Sequence, residues 1–348
     1  MHALLNCGVF VIFPVNPKQL ARYREALFPS GSKNDPGDAW LLASFLQHYH
    51  GQLRPWQPDS RETRRIAYLV EFRRKLVEER KRLLLRLSDA LKVSFPFVLE
   101  HFEKKLSSPL VTKLLQKWPS LQQLKRPPPK TMQTFFRQHG MRGDDRRQTL
   151  TQAIRAAVPL TSDPAIVQSH ATYITALASQ LENIVTSIDT FDEQLAQAVR
   201  QHEDESIFRS LPGAKDALVP RLIAAFGSDR NRWQSPEQLQ SDSGIAPVTQ
   251  QSGNSRVVKR RYACPKFLRQ TFHEFADHSR KWSPWAKAWY EDRRARGVKH
   301  HAALRALAFK WIRIMFRMWK NRETYSESHY TTALVNAGNP LANLLKNS

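Results

Sequence analysis

Two long runs set the first limit on this fold. From Arg61 to Lys92, Leu69, Leu76 and Leu83 recur every seven residues, as do Val70, Val77, Leu84 and Leu91, and Arg, Lys and Glu fill much of the rest. From about Ala165 to Arg200, Ile174, Leu177, Leu181, Ile184, Ile188, Phe191, Leu195 and Ala198 follow in unbroken steps of three and four. Such spacing draws one apolar stripe along a long helix. At 1.5 Å per residue each arm is about 50 Å long. The similar lengths predict an antiparallel helical hairpin with coiled-coil packing, or seams offered to a second subunit. An ordinary helical bundle is the plainer alternative.

The segments around the arms are mostly helical. Between them lies a helical insert, roughly Phe95 to Val158, broken at Lys125-Arg126-Pro127-Pro128-Pro129-Lys130. Its Leu114 to Leu124 segment echoes Phe226 to Leu239, a weak sign of an internal repeat. Val9 to Phe13 is a short apolar run rich in β-formers between Gly8 and Pro14, and it reads as a buried strand. No partner strand is evident in the first 60 residues, so this one is an orphan. A helix follows Asn16-Pro17-Lys18, then a loop, Pro29 to Asn34, and a second helix opened by Asp35-Pro36-Gly37-Asp38. Gly51 to Pro58 is a Pro-rich linker. Near the other end, Leu211-Pro212-Gly213 leading into Leu218 to Gly227 reads equally as a helix-hairpin-helix turn or as a packing turn. In the first case Gly213 and Lys215 would meet a phosphate. Ser283-Pro284 predicts an N-cap and first helical residue, with Gly297 as the stop. Leu304, Leu307, Ala308, Trp311, Ile314, Met315 and Met318 share one face of the last long helix, and residues after about Glu327 read as a loose tail.

Charge narrows the partners. Lys and Arg number 54 against 31 Asp and Glu, a formal net charge of +23. Solubility needs only about 2–8 charges on a small domain, so a polyanion is the natural partner, nucleic acid first. No apolar run approaches the roughly 20 residues of a membrane-spanning helix. Cys7 and Cys264 are the two cysteines; they form no disulfide framework and no metal spacing, which suits a cytoplasmic protein.

Two places invite chemistry. Asp35 and Asp38, three apart on a helix, lie on one side and could share a divalent metal. The plainer reading from spacing alone is a helix start, with Asp35 as the cap and Asp38 closing a capping box. Ser252 lies in the polar stretch Gly244 to Ser255, which no helix or strand pattern claims. Read alone it is a turn serine beside Gly253, with no Gly-x-Ser-x-Gly elbow of a hydrolase. Arg256, Lys259, Arg260, Arg261, Lys266 and Arg269 crowd the residues after it, interleaved with Tyr262 and Phe267. Such a patch suits contact with nucleic acid. His300 and His301 are adjacent, diverge on a helix, and read as surface residues.

With these residues laid out, the chain resembles the DEDD-type transposases of the insertion-sequence 110 family, unusual serine recombinases directed to DNA by a structured bridge RNA. The resemblance runs through Val9 to Pro17, Lys33-Asn34-Asp35-Pro36-Gly37-Asp38-Ala39, both arms, and Ser210 through Ser255. Its most specific part is the block from Phe226 that ends Gly244-Ile245-Ala246-Pro247 and Gln251-Ser252-Gly253. The family pattern implies a ribonuclease-H-like N-terminal domain in which four acids hold magnesium; Asp35 and Asp38 match the last two. It implies that Ser252 attacks the DNA backbone and holds it as a phosphoserine ester. It also implies a homo-oligomer, dimer or tetramer, assembled partly by the arms, in a bacterial, nucleoid-associated setting.

The family's first Asp and its Glu have no counterpart here. Before Asp35 only Glu25 is present, on the wrong element, so the resemblance implies that Met1 begins inside the fold and that catalysis is weak or absent.

The expected fold is mainly α. A truncated α/β remnant occupies 1–55, the first arm 56–94, a helical insert 95–164 and the second arm 165–205. A helical transposase domain with a helix-hairpin-helix-like unit occupies 206–326, and the tail 327–348. The expected function is cutting and rejoining DNA; the alternative is a remnant that binds nucleic acid without catalysis.

Overall fold

A computed structural model of the chain describes residues 4, 7–28 and 34–342. The expected loop at 29–33, Lys33 of the resemblance included, and the end of the tail at 343–348 lie outside those residues. Within them, Val9 to Phe13 is not a buried strand. It is extended chain without strand pairing, and Val9 and Val11 are 77% and 68% exposed. Its recorded backbone bond is Trp56 N–H to the Ile12 carbonyl at 2.7 Å. A strand needs neighbours for its remaining N–H and C=O groups, and none is present among the described residues. The expected α/β character is therefore absent from the described part of 1–55, which holds α1 (Pro17–Leu27) and α2 (Asp35–Tyr49).

The first arm is α3 (Arg61–Ser94). The insert follows as α4 (Phe97–Phe102), α5 (Pro109–Lys117), α6 (Leu121–Leu124), α7 (Pro129–Gln138) and α8 (Asp144–Ala156). The second arm is α9 (Pro164–Arg200). Thr63 meets His202 just beyond α9 at 2.8 Å, and farther along α3 Arg73 pairs with Asp192. Advancing on one arm means retreating on the other, so the arms run antiparallel.

The heptad pattern is only partly converted into burial. Leu83 and Leu91 are buried, but Leu69, Leu76, Val77 and Leu84 are half-buried, and no residue from 71 to 82 is fully buried. Two paired helices cover only one stripe of each other; full burial needs a third layer. That layer exists at the ends. Toward the insert, Leu83, Leu87 and Leu91 join Phe95, Leu114, Phe136 and Ile174 in one core. At the other end, Ile66, Val70 and Leu195 join a second core with the C-terminal helices.

Those helices are α10 (Glu205–Arg209), α11 (Val219–Phe226), α12 (Pro236–Asp242), α13 (Lys266–Ser279), α14 (Pro284–Ala295), α15 (His300–Asn321) and α16 (Glu327–Asn336). The Ser283 hydroxyl accepts the Ala286 N–H at 3.4 Å, and Gly297 at φ +80° follows α14, as expected. On α15, Leu304, Leu307, Trp311 and Met315 are at most 1% exposed. The tail differs from expectation. Ser326 caps α16 by accepting the His329 N–H at 3.2 Å, and Leu334, Leu341 and Ala342 enter the C-terminal core. Apolar residues placed against an existing core hold a segment that composition alone marks as loose. The echoed segments share a local form: Ser120 and Ser235 accept the N–H of Gln123 and Gln238, each at 3.3 Å.

Candidate functional site

Ser252 lies not in a turn but at the end of a strand. β1 (Val248–Ser252) and β2 (Ser255–Lys259) form a hairpin, the one sheet among the described residues. Gly253 has φ +52°, and Asn254 is not in the positive-φ region. Glycine at the first of two loop positions is the type II′ arrangement, whose twist matches that of paired strands. Apart from the half-buried Val248, every hairpin residue is exposed. The hairpin therefore stands out from the body with Ser252 at its tip, and among the described residues its hydroxyl has no hydrogen-bond partner.

The register relocates the basic residues relative to Ser252. Cross-strand partners share a face, so Ser252 and Ser255 lie with Gln250, Val257, Val248 and Lys259, while Arg256 and Gln251 lie on the other face. Four steps of about 3.4 Å put the Val248–Lys259 pair roughly 14 Å from the Ser252–Ser255 pair. Lys259, Arg260, Arg261, Lys266 and Arg269 thus gather at the foot of the hairpin rather than around the hydroxyl.

The foot is tightly built. Ile245 and Ala246 donate their N–H groups to the Gln240 carbonyl at 3.1 and 2.9 Å. The buried Gln240 amide donates to the Phe309 carbonyl on α15 at 2.7 Å. Gly244 has φ +71°, and a Cβ there would overlap the Cys264 sulfur. Arg269 Nη1 donates to that sulfur at 3.4 Å. The sequence between Asp242 and Glu274 contains no acid.

Other expected residues resolve differently. The cap of α2 is Asn34, whose side chain accepts the Gly37 N–H at 2.7 Å; Asp35 is the first helical residue. Asp38 pairs with Arg24, which ties α1 to α2. Among the described residues no group of three or more His, Cys, Asp or Glu could hold a metal, and no hydrogen bond or ion pair joins α2 to the hairpin. Gly213 has φ +79°, but a Cβ there would lie 2.7 Å from Trp282 Cδ1, so an indole occupies the notch. Lys215 Nζ sits over the Trp282 ring at 4.5 Å. α10 and α11 have only 5 and 8 residues.

His301 is exposed as expected, and half-buried His300 bonds Tyr290 Oη through Nδ1 at 2.7 Å. The sequence reading passed over His273, Trp282 and Arg305. Arg269 and His273 on α13, and His301 and Arg305 on α15, are two i, i+4 basic pairs, a spacing that places each pair on one helix face. His273 and His301 bring those faces together with ring centroids 5.5 Å apart.

The basic hairpin foot, in a chain of net charge +23, suits a nucleic-acid partner. Comparison with known proteins gives the class as transposase. A DEDD-type IS110 transposase model matches residues 1–96, and a model described as "Transposase IS116/IS110/IS902 family" matches residues 205–291; together they span more than half the chain. The chain belongs to the IS110 family of insertion-sequence transposases. Among its relatives is the IS117 mini-circle protein of Streptomyces coelicolor, a candidate transposase, 28% identical over 96% of this chain and 82% of its own length. The IS110 43.6 kDa protein of the same organism is 25% identical over 86% of this chain and 73% of its own length. The IS900 42 kDa protein of Mycobacterium paratuberculosis is 28% identical over 48% of this chain and 42% of its own length. Asp35 and Asp38 fall in the first matched segment and Ser252 in the second. Among the described residues no helix is long and apolar enough to cross a membrane.

Proposed function

We propose that this transposase cuts and rejoins DNA through Ser252. The observation that carries the reading is the placement of its hydroxyl, exposed and without a partner at the tip of a projecting hairpin. In the step proposed, Ser252 Oγ attacks a backbone phosphorus. The Oγ–P bond forms, a P–O bond to the sugar breaks, and the departing sugar oxygen takes up a proton. The ester retains the bond energy, so attack by a second DNA hydroxyl rejoins the strand without a nucleotide cofactor and frees the serine.

The hairpin alone lacks the rest of such a site. Stabilising charge must lie within hydrogen-bond distance of the oxygens that become negative, and the cations at its foot are too far away. DEDD-type transposases use a divalent metal, and magnesium is the ion proposed here. Asp35 and Asp38 do not by themselves fit a magnesium site: Asp38 is committed to Arg24 and no third ligand joins them among the described residues. No step is therefore assigned to the metal, and the chain alone is expected to react weakly or not at all. The reading places the completed site across subunits of a homo-oligomer, guided to its DNA by a structured RNA. It is supported by the family and by the absence, among the described residues, of any hydrogen bond or ion pair between the acids and the hairpin.

The test is to incubate the chain with donor DNA, target DNA and guide RNA in magnesium, then denature and look for protein–DNA adducts. At most a low yield of adducts is expected with the wild-type protein, and none with Ser252→Ala. Adducts that persist in Ser252→Ala would remove Ser252 as nucleophile. Salt-sensitive binding without adducts under any condition would favour the alternative, a nucleic-acid-binding protein without catalysis. Asp35→Asn with unchanged magnesium dependence would leave Asp35 a helix-start residue.

A further inference from the structure

The surface between α13 and α15 carries a furrow that the hairpin chemistry does not use. A cavity of about 610 Å³ runs from Gly213, Lys215 and Trp282 to His273 and His301. A second, of about 300 Å³, continues from His273 and His301 to Arg260, Arg269 and Arg305. A third, of about 570 Å³, takes over at Arg260 and Arg305 and reaches Gly244 to Pro247 at the foot of the hairpin. Shared lining residues make the three depressions one path.

We propose that this furrow holds an unpaired strand of nucleic acid, with Arg260, Arg269 and Arg305 on its phosphates and its bases against Trp282 and the His273–His301 imidazoles.

The charges favour a polyanion. Among the described residues Lys215, Arg260, Arg269 and Arg305 form no ion pair. Burial, then the Arg260 and Arg269 charges, lower the Arg305 pKa, with Tyr262 opposing. The acids in the furrow are already spent. Burial acts to raise the Glu274 pKa, but its Arg221 hydrogen bond and the Arg221 charge outweigh this and hold it below the usual value. Gln270 Nε2 also donates to Glu274 at 2.6 Å, and Asp277 pairs with Arg280 at 2.7 Å.

The rings favour unpaired bases over a duplex. Trp282 is 56% exposed, with the Lys215 ammonium 4.5 Å from its ring centre. Cation and ring are thus presented together, as the phosphate and base of one nucleotide require. In a duplex the base faces are stacked away, and a protein meets backbone and base edges; only an unstacked strand can lay its bases on rings inside a groove. DNA and RNA share this chemistry.

This inference assumes that the chain handles nucleic acid, as in the reading above, but not that Ser252 is a nucleophile. The test measures fluorescence anisotropy of one labelled sequence as single-stranded DNA, as single-stranded RNA and as duplex DNA. Trp282→Ala and Arg260→Ala alter exposed side chains and should leave the fold intact; Arg305→Ala is checked by its melting curve. Each is expected to weaken single-strand binding about tenfold, with duplex binding little changed. The arginine variants should also lower the salt slope by about one. Lys287→Ala, exposed and outside the furrow, should bind as wild type. The larger effect among the single strands identifies DNA or RNA as the occupant. Wild-type single-strand binding by Trp282→Ala and Arg260→Ala, or an equal loss for duplex, would overturn the proposal. Ser252→Ala should bind normally, so loss of adducts with intact furrow binding faults only the nucleophile reading, and adducts with a dispensable furrow fault only this one.

Discussion

Gly244 and Cys264 fix where the Ser252 hairpin leaves the body. The glycine backbone is left-handed, and the sulfur fills the space where a side chain would be. Gly244→Ala is expected to cost about 1–3 kcal/mol through overpacking and backbone strain, seen as a lower urea midpoint at unchanged slope. Adding Cys264→Ala removes the obstructing sulfur and should restore part of the loss; a single variant as stable as wild type would show that the sulfur moves aside freely. Ser252 is legible in the sequence as a polar position before a glycine, but the strand that carries it is not. Apolar–polar alternation marks a strand only when one face is buried, and Thr249, Gln250, Gln251 and Ser252 bury neither. The cluster of basic residues is legible too, but its distance from Ser252 depends on register, which a run of letters does not state. At Asp35 two neighbouring residues could each cap the helix, and the Asn34 side-chain oxygen is the one that accepts the Gly37 N–H.

The arms show the same limit at the scale of elements. Their helical state and extent are readable from the apolar steps, while the antiparallel pairing is one of the arrangements these leave open, and a heptad does not say where a third layer covers it. Leu87→Ala, in the insert core and 0% exposed, should cost about 2–5 kcal/mol, and half-buried Leu76→Ala less than half of that by urea denaturation. Equal losses would mean that the waist is covered in solution. The base of the arms carries a titrating contact. Asp204 donates its N–H to His202 Nδ1 at 3.1 Å, so the neutral ring carries its proton on Nε2 and donates to Thr63 Oγ1 at 2.8 Å. Burial lowers the His202 pKa from 6.5, with Asp204 and Glu203 opposing. The unfolded chain then binds the proton more readily than the folded one. Stability from this group is complete above the unfolded value and is lost as pH falls toward the lowered folded value. The urea midpoint should fall as pH drops below about 6.5, and His202→Gln should flatten that fall while being less stable at alkaline pH. Parallel pH curves for the two proteins would assign the titration elsewhere.

The molecule as a whole is two cores joined by a thin waist, a feature that no local pattern in the sequence announces. Its apolar residues are evenly helical in spacing on both sides of the waist, and only the tertiary partners differ. One core gathers Phe95, Leu114 and Phe136 around the insert, and the other gathers Phe226, Trp285 and Trp311 below the hairpin. Between them α3 buries nothing fully from 71 to 82, and α9 buries only Ile188 between Leu181 and Leu195. Cooperativity passes through packed side chains, so units joined by half-buried contacts open separately. Phe136→Ala, at 0% exposure, should destabilise the insert core by about 3–5 kcal/mol. Native-state hydrogen exchange should then show faster exchange for amides of α5 and α7, with those in the middle of α15 unchanged. Single-strand binding in the furrow should persist, because the supports of its hairpin end, Gln240, Phe309 and Cys264, belong to the other core. Equal loss of protection in α15 would show that the arms transmit stability from end to end, and that the waist couples the two cores into one folding unit.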